Sequence, residues 1–245
     1  MQERRYYSKA PITEALIDLR VSLPSEATLA ELNHLFSLIN AEYPNQEAQL
    51  FVQSQVTAGA SVGATANQTQ VGYVYSTSDR KQAFSACLDG FTFSRLAPYD
   101  RWEIFRDEAK RLWSIYQDAV QPTAINRLAV RYINRLDIPL PISDLKDFLR
   151  TFPEVSADLP EGLSGYFMQL QIPQEDIGAM VVINQAMIPS STPEVLSVLL
   201  DIDVFQDYSS LRDNSFWDYL EKLHTKVDKV FEACITDETR ELISQ

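Results

Sequence analysis

The sequence predicts an α+β protein made of two tandem β-α-β-β-β-α halves of helix-grip-like type, with antiparallel sheets each packed on a long helix. Three observations carry this. The stretch WEIFRDEAKRLWSIY from Trp102 matches WDYLEKLHTKVDKVF from Trp217, so Trp102, Phe105, Leu112 and Tyr116 fall on Trp217, Leu220, Val227 and Phe231. Residues at this spacing share one helix face, so the same aromatic-aliphatic stripe is used twice. Each long helix also closes a half-chain that opens with a strand ending at proline, Pro24 in the first and Pro139 with Pro141 in the second, followed by a short helix. The halves are expected at 1–120 and 121–245, fused into one globular unit.

The elements follow in order. From Glu14 to Leu23 the apolar Ala15, Ile17, Leu19, Val21 and Leu23 alternate with positions that are mostly polar, which describes a half-buried strand. Leu29, Leu32, Leu35, Phe36 and Ile39 then recur at helical spacing, and Tyr43-Pro44-Asn45 stops that helix. A strand is expected from Gln49 to Val56. Ala58 to Gln70 contains small and uncharged polar residues with little side chain to bury, so a mobile hairpin tip or loop is expected there. Gly72–Ser76, Gln82–Leu88 and Phe91–Leu96 read as antiparallel strands, the last two joined by the hairpin dipeptide Asp89-Gly90. Asp100 with Glu103 has the form of a capping box for the first long helix.

In the second half Leu128–Ile138 reads as a long strand and Ser143–Phe152 as the short helix. Pro153–Gly165 is expected to be a surface connection. Tyr166–Ile172, Ala179–Ala186 and Leu196–Phe205 complete the strands, and Ser215 with Asp218 is expected to cap the last helix. Joining the two sheets edge to edge would remove the exposed edges between them.

Composition bounds the function. With 245 residues, 45% of them hydrophobic, the chain can bury roughly 70–75% of the surface its unfolded form exposes. Its apolar runs fall far short of the roughly 20 residues of a membrane helix, and MQERRYYSKAP lacks the apolar core of a signal peptide. A cytoplasmic protein without membrane attachment is the expectation. Asp and Glu exceed Lys and Arg by 34 to 21, a net charge of −13, which repels polyanions and disfavours nucleic acid. The expected partners are a protein or a small molecule, and a homodimer is compatible with this reading. Cys87 and Cys234 sit among apolar neighbours and read as small hydrophobes. His34 and His224 lie on separate helices without a paired ligand at metal spacing. No nucleophile elbow, phosphate loop or dinucleotide fingerprint occurs among the seven glycines, so neither metal nor cofactor is expected.

The chemical oddity is INRLAVRYINRLDI. Arg127, Arg131 and Arg135 occupy odd positions of a single strand and project from one face, while Leu128, Val130, Tyr132 and Leu136 project from the other. Guanidinium groups grasp carboxylate or phosphate in bidentate fashion, so Arg127, Arg131 and Arg135, with Asn134, are candidates for an anion or ligand site. The competing reading is a charge ladder in which they pair with Glu14, Asp18, Asp201 and Asp203 on neighbouring strands. An acid-base site is a third reading, and the catalytic residues it would use are not identified.

APITEALIDLRVSLP, RLAVRYINRLDIPL, LLDIDVF and FWDYLEKLHTKVDKVFEACIT together resemble a sporadically distributed family of uncharacterised prokaryotic proteins of about this length. That family shares a proline-isoleucine-x-glutamate-alanine opening, an arginine-rich tyrosine-isoleucine-asparagine-arginine strand and a terminal tryptophan-to-phenylalanine helix. Glu14, Arg131, Asn134, Arg135, Asp201 and Asp203 match its polar positions. The resemblance implies no activity, and a patchy distribution is compatible with an accessory or defence-associated role. The leading expectation is a binding or protein-interaction module working through the charged sheet face or a docking surface. The alternative is a helix-grip domain that holds a small ligand in an internal cavity, and the sequence leaves open whether such a domain is an enzyme.

Overall fold

The computed structural model describes residues 5–57, 63–156, 158–159, 163–207 and 215–244. Strict alternation makes β1 (Ile12–Ser22) a two-faced strand, with Ala15, Ile17, Leu19 and Val21 buried on one side. The chain continues through α1 (Leu29–Ile39), β2 (Asn45–Thr57), β3 (Gly63–Ser76), β4 (Gln82–Cys87), β5 (Gly90–Leu96) and α2 (Trp102–Val120). The second half contributes β6 (Ala124–Pro139), β7 (Phe167–Gln174), β8 (Ala179–Ile188), β9 (Val195–Asp207), α3 (Phe216–Cys234) and α4 (Asp237–Ser244).

The nine strands form one antiparallel sheet in the order β2-β3-β4-β5-β1-β6-β9-β8-β7. Outward from the β1–β6 junction the order is β1-β5-β4-β3-β2 on one side and β6-β9-β8-β7 on the other. At that junction Leu16 lies opposite Arg131, Ile17 opposite Val130 and Leu19 opposite Leu128. The helices cover one face. α2 packs on β5, α3 on β6 and β9, and α1 on β3 and α2. Phe91 and Phe93 of the sheet meet Trp113, Tyr116 and Phe105 of α2, with Phe93 and Phe105 stacked at 5.0 Å, and Phe84 packs on Phe91 at 5.1 Å. A single apolar cluster runs from there through Val130, Ile202 and Val204 to Leu220, Leu223 and Val227 of α3. Among the described residues no helix is long and apolar enough to cross a membrane.

Several sequence expectations are revised. The capping box belongs to α1, where Thr28 and Glu31 cap reciprocally. The N-cap of α2 is Arg101, without a side-chain cap bond, because Asp100 lies one residue too early and accepts instead from Arg95 at 3.2 Å. Ser215 likewise makes no side-chain cap bond to α3. Within Ser143–Phe152 only Leu145–Asp147 turns, as a 3₁₀ segment capped by Asp144. Extended pairing wins there: Leu149 bridges to Ile235, Arg150 N–H donates to Cys234 O at 2.8 Å and Thr236 N–H to Phe148 O at 3.1 Å. Residues 63–70, expected to lie in a mobile hairpin tip or loop, belong to the β2–β3 hairpin but as strand: they extend β3 and pair with β2 from Leu50 to Thr57, so backbone bonding orders them. Residues 58–62 of that expectation lie outside the described residues.

Candidate functional site

The sheet face opposite the helices carries the charged residues singled out from the sequence. β6 is flanked by β1 and β9, so its arginines lie between two rows of acids. Arg127 reaches Asp18 Oδ1 at 3.0 Å and Asp203 Oδ2 at 2.8 Å, and its guanidinium lies 4.3 Å from the centre of the Phe205 ring. Arg131 grips Asp201 through two bonds of 2.7 Å, and Asn184 donates a third to the same carboxylate at 2.9 Å. Hydrogen bonding to Asp201 raises the Arg131 pKa further. Arg135 turns to Asp137 on its own strand at 2.9 Å and to Ser197 Oγ at 3.1 Å. Asp18 also accepts from Arg20 and from Thr92 at 2.8 Å. Glu14 makes no ion pair among the described residues and acts on Arg131 through its field. Burial pushes Asp203 above the usual carboxylate range despite Arg127 and Arg131, and its Oδ1 has no partner among the described residues.

Asn134 stands apart from these arginines. It lies on the helix side, buried, donating to the carbonyls of Leu200 at 3.0 Å and Tyr132 at 3.3 Å. There it lines a cleft of about 760 Å³ between residues 5–12, the turn Tyr99–Trp102 and the second half of α3. Tyr132 and Asn134 on β6 contribute from the strand side.

The cleft is built around a ring stack. Trp102 lies on the buried His224 with centroids 4.0 Å apart and planes 10° apart, and the indole N–H donates to Glu221 at 2.7 Å. Tyr132 meets His224 edge-on at 5.9 Å, and its hydroxyl lies 2.8 Å from that of Tyr99. His224 Nε2 is 3.8 Å from Asp228 Oδ2. Tyr7 packs edge-on against Phe231 and donates to Glu232, and burial, reinforced by Glu232, raises its pKa. Arg240 holds Glu232 at 2.8 Å. The exposed Arg101, Arg150 and Lys229 add positive charge around the opening.

No protein-family model and no curated protein matches this chain. The site is therefore defined by its geometry. A cleft of this size, with aromatic walls and a few convergent hydroxyl, amide and imidazole groups, suits a small organic molecule. Among the described residues no group of three or more His, Cys, Asp or Glu is arranged for a metal ion, and Cys87 and Cys234 are buried thiols outside any disulfide. The sequence sets His224 on a helix apart from His34, but does not join it to Tyr7, Tyr99, Trp102 and Tyr132, which come from separate segments. The signals available were the Tyr6-Tyr7 pair and two polar positions, His224 and Asp228, on a helix face otherwise devoted to the core.

Proposed function

We propose that the protein binds a small organic ligand with a planar ring in the cleft beside the Trp102–His224 stack. This is the cavity alternative rather than the protein-interaction reading of the charged face, whose arginines already have partners. We also infer that the chain is a duplicated unit, divided near residue 120. Trp217 follows Trp102 by 115 positions, and Glu221 follows Arg106 by the same interval. Arg106 and Glu221 form an ion pair between α2 and α3. Arg131 also follows Leu16 by 115 positions, and the two lie opposite each other on β1 and β6. Equivalent residues meet in this way at a twofold axis.

The observation that carries the ligand reading is the contrast between the two equivalent positions. At the 115-residue interval, Tyr132 and Asn134 correspond to Ile17 and Leu19, while His224, Asp228 and Phe231 correspond to Ala109, Trp113 and Tyr116. In the first half Trp113 fills the space, packed against Phe91 at 5.6 Å, Tyr116 at 5.5 Å and Phe216 at 5.8 Å. In the second half polar groups border open volume. Polar groups replacing core side chains cost stability, and such departures from the packing rule concentrate at functional sites.

The test uses two substitutions that make the cleft resemble its filled counterpart, Asp228→Trp and Asn134→Leu. Thermal unfolding is followed against a panel of nucleosides, aromatic acids and heterocycles. A ligand at a hundred times its Kd should stabilise the wild type by about 2.7 kcal/mol, with little response in either variant while both remain folded. A panel that stabilises none of the three proteins, or stabilises all three alike, refutes the reading.

A further inference from the structure

We infer that the β2–β3 ribbon is a docking arm for a second copy of this chain, the two arms pairing antiparallel through the free edge of β2. This inference is independent of the cleft. β4 pairs with β3 only from Gly72 to Ser76, so beyond that point Leu50–Thr57 and Gly63–Gln70 form a two-stranded ribbon that no third strand joins among the described residues. Neither of its faces is covered near its base: Leu50 and Val52 on one side are 48% and 51% exposed, and Phe51 on the other is 58% exposed. An isolated two-stranded ribbon is marginally stable in water, and an edge strand with apolar side chains is a template for another strand.

Charge identifies the occupant. Between Glu47 and Asp79 no residue is charged, in a chain whose net charge is −13. Edges that are kept single usually carry lysine, an inward charge or proline. β2 has none of these along Ala48–Thr57, whereas the opposite edge, β7, carries Pro173. A cationic partner would be drawn to the acidic body and would gain nothing from a neutral arm. A second acidic copy has the opposite requirement, and the arm meets it. Eight residues of strand reach about 26 Å, which holds two acidic bodies apart by more than the Debye length of about 8 Å at physiological salt. The neutral ribbon is therefore the surface on which two copies meet with the least repulsion, and the pairing covers Leu50, Phe51 and Val52.

The experiment is sedimentation equilibrium of the full chain at about 10–100 µM, with circular dichroism to check folding. The wild type should sediment at twice the monomer mass of 27.9 kDa. The double variant Phe51→Lys/Val52→Lys should fold and sediment at the monomer mass, because both side chains lie outside the core. Ile104→Lys, at a residue 44% exposed on α2, should remain a dimer. A wild type monomeric at about 100 µM, a double variant that stays dimeric, or a dimer broken equally by Ile104→Lys overturns the proposal.

Discussion

Replacing Arg131 by alanine removes the bidentate partner of Asp201, a carboxylate whose side chain is only 4% exposed. What remains is one amide bond from Asn184 at 2.9 Å. Breaking a fully buried pair costs about 3–5 kcal/mol, because the surviving charge is left uncompensated, whereas an exposed pair contributes about 0–1 kcal/mol. Arg131 is 41% exposed, so water can enter the space its guanidinium leaves, and the expected loss is about 2–3 kcal/mol, between those limits. The reverse change is milder. In Asp201→Asn the guanidinium keeps its access to solvent and the amide oxygen still accepts, so the loss should be about 1 kcal/mol. Urea unfolding at pH 7 with linear extrapolation measures both, and the double variant closes the cycle with a coupling of about 1–2 kcal/mol. The order of the two single variants is the critical result. An Arg131→Ala protein within about 0.5 kcal/mol of wild type, or an Asp201→Asn protein that suffers more, contradicts the ladder. Stabilisation of the wild type by added phosphate, absent in Arg131→Ala, would return the strand to the role of an anion site.

Two further outcomes are expected. Glu108 is pushed up by burial, but hydrogen bonds from Arg111 and Tyr43 and the charge of Arg111 outweigh this and hold its pKa below the usual glutamate value. A group depressed in the folded state stabilises at pH values above its unfolded pKa and loses that contribution as pH falls through the folded value. Urea melts of Glu108→Gln and wild type should therefore differ at pH 6 and converge as pH falls through the folded pKa, below the usual glutamate value, and a pH-independent difference would sink the assignment. At Gly72 an added Cβ would sit 2.2 Å from the carbonyl oxygen of Ala86 and 2.7 Å from Cys87 Cα. Gly72→Ala should cost at least about 1–3 kcal/mol, while Gly165→Ala, with open space around it, should stay within about 0.5 kcal/mol; equal thermal shifts would contradict this.

The parts of the fold legible in the sequence are those where burial writes a period. The alternation of β1 and β6 and the stripes beginning at Trp102 and Trp217 announce their elements, since each side chain's phase records which face it presents. Residues 63–70 do not, because their order comes from backbone bonds to β2, to which small polar side chains leave no trace. The segment around Leu149 misleads for a related reason: its spacing suits a helix, but the backbone of Cys234–Thr236 competes for its hydrogen bonds. The arginine face can be anticipated because it lies within one strand. The cleft cannot, because Tyr7, Trp102, Tyr132 and His224 lie on four separate segments and become neighbours only once α2 and α3 have packed on the sheet.

The pairing of β1 with β6 also has a consequence for the order of synthesis. β1 gains β5 as a neighbour on one side as soon as residue 96 is available, but its other edge waits for residues 124–139. Until those residues leave the ribosome, a nascent first half presents β1, the strand that becomes central in the finished sheet, as an open edge. Pairing between strands so distant in sequence is slow, because the loop must close before the contacts reward it. Strand edges left open during that interval are where nascent chains associate wrongly. A chain arrested near residue 120 would therefore be the most aggregation-prone intermediate in this protein's synthesis.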